Sequence, residues 1–479
     1  MNFARDVVDA APAERRALLE LDRDGRRREW SFGEVSDRSA RLAGALASRG
    51  IRKGDVVMTL IGNRPEWVFT MVACFRIGAV ALACNEQLRA KDLLIRLDSA
   101  QPALIVSDER DLGELSAANP VCSVLVIPDK TLFEHEPVPA ADLDAIDPCL
   151  ITFTSGTTGE PKGVVHGQRY LPGQQLQATH WMDARKGDLV WCTAATGWSK
   201  SARNAFIAPW LNGATALLHD ARFDPVQRLE IIAAERVNVL CMAPTEYRVI
   251  AKRTALSPRP SLRTLVAAGE ALNPEVIRAF KEVLGIEIRD GYGQTETGQL
   301  TGNPVGEPVR PGSMGRPLPG VELEVIDGEL VLTDPRTDPT FFVGHLGGGA
   351  APDDRPWHTG DRVIQDDGYL YFEGRTDDLI ISAGYRIGPF EVESALVSHP
   401  AVAEAAVVAA PDDERGSVVR AVVVLRDGFD PTDTLKTDLQ QHVRDQTAPY
   451  KYPRIVDFAP ELPKTSSGKV RRALLRATR

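Results

Sequence analysis

The densest concentration of reactive side chains runs from Thr152 to Gly163, TFTSGTTGEPKG, directly after the apolar run Cys149–Ile151. It holds three glycines, five hydroxyls and Lys162. Such a loop brings backbone N–H groups close to a polyphosphate, with hydroxyl donors and one cation added. The residues expected to do this are Thr154, Ser155, Gly156, Thr157, Thr158, Gly159 and Lys162. It is not a GxxxxGK[ST] loop, because Pro161 stands where the glycine before Lys162 would have to be.

Four further stretches carry chemistry. Asp290–Gly298 reads DGYGQTETG. There Tyr292, between Gly291 and Gly293, suits the face of a nucleobase. Thr295 is a donor to phosphate, and Glu296 a hard oxygen ligand for Mg2+. Trp357–Asp361 reads WHTGD, and its aspartate suits the paired hydroxyls of a ribose. Gly374–Glu391 reads GRTDDLIISAGYRIGPFE, with Arg375 and Arg386 suited to phosphate oxygens. Leu462–Arg472 reads LPKTSSGKVRR, a polar turn that presents Lys469.

These residues need a scaffold, and the chain alternates helical and β-branched segments as parallel α/β units require. Helices are expected over 31–48, 65–76, 223–235 and 274–284, and strands over 26–30, 56–61, 79–83, 104–107, 124–127, 237–242 and 287–290. From about Gly320 the texture changes to short strands over 321–326, 329–332 and 369–373. The glycine- and proline-rich stretch 334–356 reads as a surface excursion. Past Asp377 comes an α+β piece: a strand, a helix over 389–398, strands over 402–410 and 418–425, and a helix over 435–443. The division is therefore 1–376 and 377–479. The fold class is α/β for the large N-terminal domain, which includes a small β-rich part, with a small mobile α+β C-terminal domain.

The chain has 479 residues, 43% of them hydrophobic and 25% charged, with a formal net charge of −10. This is a globular protein of enzyme size, with no electrostatic case for nucleic acid. The six scattered cysteines form no CxxC, arguing against zinc and for reduced thiols in the cytoplasm. The N-terminus has no apolar core of the signal-peptide kind. Trp67–Cys84, interrupted by Arg76 and Gly78, reads as a buried helix followed by a strand rather than a membrane span.

Taken in order and spacing, the five stretches resemble the adenylate-forming superfamily of acyl-CoA synthetases, peptide-synthetase adenylation domains and luciferases, across essentially the whole chain. GYGQTETG, SAGYRIGPFEVESAL, APDDERGSVV and TAPYKYPR look most like the medium-chain acyl-CoA synthetase (AMP-forming) branch. The resemblance implies an acid–CoA ligase that uses ATP, Mg2+ and coenzyme A. Its site residues would be the Thr154–Lys162 loop over the phosphates, Gly269 and Glu270 with Asp290, Gly291 and Tyr292 around adenine, and Gln294 beside them. Thr295 would lie at the α-phosphate, Glu296 on the metal, Asp361 and Arg375 at the ribose, and Lys469 between carboxylate and α-phosphate. Asp377 aligns with a hinge position. Coenzyme A would meet Gln87, Ser382, Gly384, Tyr385, Arg386, Arg415, Arg444 and Tyr452.

For the acid, Gly293 stands where acetate-selective relatives carry a tryptophan, and Trp198 would line the wall. The expected substrate is a medium-chain, branched or aromatic carboxylic acid. Lys200, Arg203 and Asn204 are more polar than an aliphatic tunnel invites, which leaves a polar substituent or simple solvent exposure open. Loading of a carrier-protein thiol or other nucleophile, or a catalytically silent paralogue, remain alternatives. The oligomer would be a monomer or homodimer.

Overall fold

The computed structural model describes residues 1–154, 161–270, 272–383, 385–412, 414–464 and 469–477. Two large sheets form the N-terminal body. One has seven strands in the order 344–345, 163–167, 148–153, 80–84, 56–60, 104–108 and 123–127. The other has nine: 316–317, 301–302, 288–292, 264–268, 239–242, 189–192, 215–219, 16–21 and 27–31. The inner strands pair in parallel. Several, such as Val80–Cys84, Thr215–His219 and Thr264–Ala268, are buried at every position. Continuous apolar runs of this kind belong in sheets covered on both faces.

The helices that cover these sheets begin and end on local signals. Ser31 and Glu34 form a capping box at the start of Phe32–Ala47. Pro65 opens Pro65–Ile77, which ends at Gly78 in the left-handed conformation. That helix is buried almost throughout and feeds the strand Val80–Cys84, so the apolar stretch is core. No helix among the described residues is long and apolar enough to cross a membrane. The edge strand Arg27–Ser31 pairs with Arg16–Leu21, a strand the sequence reading did not identify. Its three consecutive apolar residues, Ala17–Leu19, are too short a run between Arg16 and Glu20 to announce a strand in one dimension.

A four-stranded antiparallel sheet of 323–326, 329–332, 357–366 and 369–375 follows. Beyond it, a three-stranded sheet of 402–412, 416–425 and 455–458 packs with the helices Pro389–Ser398, Asp433–Gln446 and Arg472–Ala477. The apolar clusters of this C-terminal part draw on residues from Ile380 onward. The clusters of the larger part end at Phe372.

The stretch 334–356 departs from its expectation as a surface excursion. Asp338, Thr340, Phe341 and Phe342 are buried. Phe341 and Phe342 pack edge-on against Trp357 and against each other. Gly344–His345 adds an edge strand beside Val164–Val165. Turn-forming residues flank an aromatic pair here, and composition alone weighs the flanks more heavily than the pair.

Phe341→Ala is therefore expected to cost about 3–5 kcal/mol, the range for a fully buried aromatic. Urea unfolding checks it; a loss below about 0.5 kcal/mol, normal for surface positions, would return the segment to the surface.

Candidate functional site

The carboxyl ends of the parallel strands converge on one cleft of about 2160 Å3. Strand Val80–Cys84 delivers Asn85–Gln87, Leu189–Cys192 delivers Thr193–Lys200, Thr264–Ala268 delivers Gly269–Glu270, and Ile288–Tyr292 delivers Gly293–Glu296. This is where open α/β sheets place ligands. The four-stranded sheet supplies Trp357–Asp361 and Arg375, and the C-terminal part closes the mouth with Lys464 and Lys469.

Asp361 organises the centre. It is buried and faces Arg375 Nη1 at 3.2 Å. The Tyr292 hydroxyl donates to it, as does Gln294 Nε2 at 2.8 Å. Gln294 also donates to the Thr359 carbonyl at 2.7 Å and accepts from Trp357 Nε1 at 3.2 Å. Burial pushes the Asp361 carboxyl above its ordinary pKa, and Arg375, Tyr292 and Gln294 act against that rise. Tyr292 thus spends its hydroxyl on Asp361, a link between two sheets that spacing alone does not reveal. Asp290 is buried and accepts from its neighbour Gly291 N. Its carboxyl pKa is raised well above normal by burial.

Gly269 has φ of +101°, and a Cβ there would meet Lys200 Nζ at 3.3 Å. Lys200 donates to the Ala268 carbonyl at 3.2 Å. The Glu270 carboxylate accepts from Thr245 Oγ1 and from Arg248 at 3.0 Å. Thr245 and Arg248 line the same cleft and fix the Glu270 side chain beside Gly269. Thr245 and Arg248 were not anticipated; they lie on a helix far away in sequence, without a motif of their own.

The base of the glycine-rich loop is closed, since Thr154 N donates to Lys162 O at 2.9 Å and Lys162 N to Thr154 Oγ1 at 3.2 Å. Ser155, Gly156, Thr157, Thr158 and Gly159 lie outside the described residues. Thr295 and Glu296 sit in a turn that lines the cleft. His345 Nε2 lies 3.5 Å from the Glu296 carboxylate, so the 334–356 segment reaches the site directly. Beneath this turn, His166 is fully buried, with its ring centre 4.0 Å from that of Tyr170.

Lys469 also reaches the cleft. Its side chain keeps solvent contact, yet enclosure by the cleft walls lowers its pKa, and Lys200 adds to the lowering. Glu270 and Asp361 oppose it, so Lys469 lies in the field of both carboxylates. Across the two parts, Lys252 Nζ donates to the Ala403 carbonyl at 3.0 Å and Asn273 Nδ2 to Ser394 Oγ at 3.1 Å.

Of the expected coenzyme A residues, Gln87 lines the cleft. Ser382, Tyr385, Arg415, Arg444 and Tyr452 do not line it in this arrangement. Tyr385 stacks on Tyr450 at 4.3 Å, and the Arg444 guanidinium lies 3.8 Å from the Tyr452 ring centre. Gly384 and the Arg386 side chain lie outside the described residues. Asp377 is exposed in the short helical turn Thr376–Asp378, where Arg476 donates to both the Asp377 carbonyl and the Asp378 carboxylate.

Trp198 and Gly293 both line the cleft, but Gly293 needs a correction as a pocket floor. A Cβ built there would lie 1.7 Å from the Gly298 carbonyl oxygen, pointing into the turn rather than the cavity. The Gly298 N–H bonds back to the Gln294 carbonyl at 3.0 Å and closes this turn. A tryptophan at 293 would have to displace that backbone before it shortened any pocket.

The AMP-binding enzyme family matches residues 4–336, and the AMP-binding enzyme C-terminal domain matches 391–469. An uncharacterised acyl-CoA ligase of Bacillus subtilis is 39% identical over 98% of this chain and 94% of its own length. A mitochondrial acyl-coenzyme A synthetase of Rattus norvegicus is 36% identical, over 99% and 90%. The crystal structure of a Brucella canis acyl-CoA synthetase aligns at TM-score 0.76 and 33% identity, over 100% and 94%.

One prediction concerns His166. Burial, and then the nearby Arg203 charge, push its pKa down to about 3. The unfolded chain takes up this proton near pH 6.5 and the native state only near 3. Between those values stability falls with falling pH, by about 1.4 kcal/mol per unit from this one group. His166→Gln is expected to flatten the fall of urea stability below pH 6.5. An unchanged slope would mean that His166 takes up a proton in the folded state.

Proposed function

We infer the work of this cleft from one premise, that the chain belongs to the AMP-binding enzyme family, and it is an AMP-forming acid–CoA ligase. ATP and coenzyme A are its cosubstrates. The observation that carries the finer reading is the convergence of Lys469, Asp361, Arg375 and the Thr295–Glu296 turn on one cleft.

In this reading Asp361 accepts the ribose hydroxyls, with Arg375 beside it. The Gly269–Glu270 backbone and the Asp290–Tyr292 strand end border the adenine. Thr295 donates to the α-phosphate, and the Thr154–Lys162 loop covers the departing pyrophosphate. Lys469 draws the substrate carboxylate and the α-phosphate together. Two anions must approach in line while further negative charge develops, so fixed cations and donors replace water there. The expected acid is medium-chain, branched or aromatic.

Mg2+ fits the donor set. Glu296 offers one carboxylate to the cleft, and among the described residues no cluster of three acidic, histidine or cysteine side chains forms a protein cage. Mg2+ typically takes one or two carboxylates and fills its shell with substrate phosphates and water. When bound, it would neutralise charge on the phosphates.

The second half-reaction, attack of a thiolate on the acyl-adenylate with release of AMP, calls for a different C-terminal face. Tyr385, Arg415, Arg444 and Tyr452 lie away from the cleft while Lys469 is in it, which supports rotation about Asp377 between the 1–376 and 377–479 domains. The six unpaired cysteines support a reducing compartment such as the cytoplasm.

Lys469→Ala tests the assignment. Losing one preorganised charge is expected to slow ATP–pyrophosphate exchange by about 10²–10³. Thioester formation from supplied acyl-adenylate should continue at near the parent rate. Equal losses in the two half-reactions would remove Lys469 from its role.

A further inference from the structure

Within the cleft wall formed by 198–203, one side chain is unaccounted for. Lys200 bonds to the Ala268 carbonyl at the end of the cleft that Lys469 enters. Arg203, three residues on and so on the same helical side, is 4% exposed and lines the same cleft. It begins the π-helical turn Arg203–Ile207, a local irregularity that frequently marks functional positions. Its Nε and Nη1 have no hydrogen-bond partner, and no carboxylate among the described residues lies within salt-bridge distance. The other buried arginines behave differently. Arg76 pairs with Asp9 at 2.6 Å, and Arg228 faces Glu246 at 3.6 Å.

The surroundings of Arg203 do not neutralise it. Its polar neighbour there is neutral, the Tyr170 hydroxyl, which takes a hydrogen bond from the guanidinium, and His166, beside it, is also held neutral. Gly298 is close, its Cβ direction 3.6 Å from Arg203 Nη1. The adjacent Asn204 is committed to Gln177 and the Cys241 sulfur. A buried guanidinium without an anion is costly, and a planar fork of donors matches a carboxylate best.

We propose that Arg203 binds a second carboxylate on the substrate, so that the preferred acids carry one carboxyl for adenylation and another held in the depth of the acyl space. This rests on the ligase reading above and names the substrate class within it. The reaction at the first carboxyl is unchanged; Arg203 positions and selects. A chain ending in a methyl group leaves the guanidinium unpaired, and sites built for a polar group discriminate strongly against analogues that lack it.

The test compares straight-chain monocarboxylates with α,ω-dicarboxylates of equal length, and benzoate with its ring-carboxylated counterparts, by ATP–pyrophosphate exchange and thioester formation. The wild-type enzyme is expected to favour the dicarboxylates by about 10²–10³ in kcat/KM. Arg203→Met should lose that preference and improve on monocarboxylates, with Arg203→Lys in between. Dicarboxylates without ATP should raise Tm for wild type and not for Arg203→Met. Equal use of both series by the wild type overturns the proposal, even if the variants fail to fold. So does a preference that survives Arg203→Met, which would make Arg203 a structural support for Tyr170. Exchange with no acid of any class would instead take down the ligase reading, and this proposal with it.

Discussion

The Asp361 carboxylate is the point on which the site depends. It is buried where an ion is unstable, and Arg375, Tyr292 and Gln294 make that tolerable. Each partner comes from a different place. Tyr292 ends a strand of the nine-stranded sheet, Gln294 belongs to the turn after it, and Arg375 ends the four-stranded sheet. Satisfying one charge thereby fixes two sheets and the Thr295–Glu296 turn in register. A half-satisfied buried network costs more than none, so these contacts form together or not at all.

The same electrostatics bears on Lys469, which reaches the cleft from the C-terminal part. Lys200, Arg203, Arg375 and Lys162 already crowd the cleft with positive charge. A permanently seated Lys469 would raise that repulsion, and its pKa is lowered first by enclosure in the cleft and then by Lys200. In the proposed reaction, bound anions would reverse the balance and make its approach favourable. The contacts that hold the two parts together here include Lys252 to Ala403 and Asn273 to Ser394, and the Phe372 ring edge-on to Phe390.

Local signals made much of this readable. Pro65 with Gly78, Pro274 with Gly285, and the Ser31–Glu34 box mark helices by chemistry that acts within a few residues. The glycine-rich loop, DGYGQTETG, WHTGD and the final lysine stand out because their types and spacing are rare in ordinary loops. Long-range pairing was not readable. Nothing near Arg248 announces Glu270, and nothing in WHTGD announces Tyr292. The 334–356 segment failed because its glycines and prolines obscure Phe341 and Phe342. Gly293 failed differently: the family resemblance gave its position, while its Cβ direction is set by the closure of the turn at Gly298.

The central claim is that one cleft carries both half-reactions, divided between two placements of the C-terminal domain. The direct measurement uses a reversible link across the two parts where Asn273 meets Ser394 at 3.1 Å. An Asn273→Cys, Ser394→Cys protein, oxidised and checked for the bond by mass, should keep ATP–pyrophosphate exchange. It should stop forming thioester beyond a single bound acyl-adenylate, and a reductant should restore turnover. Full thioester turnover by the linked, unreduced protein would contradict the account.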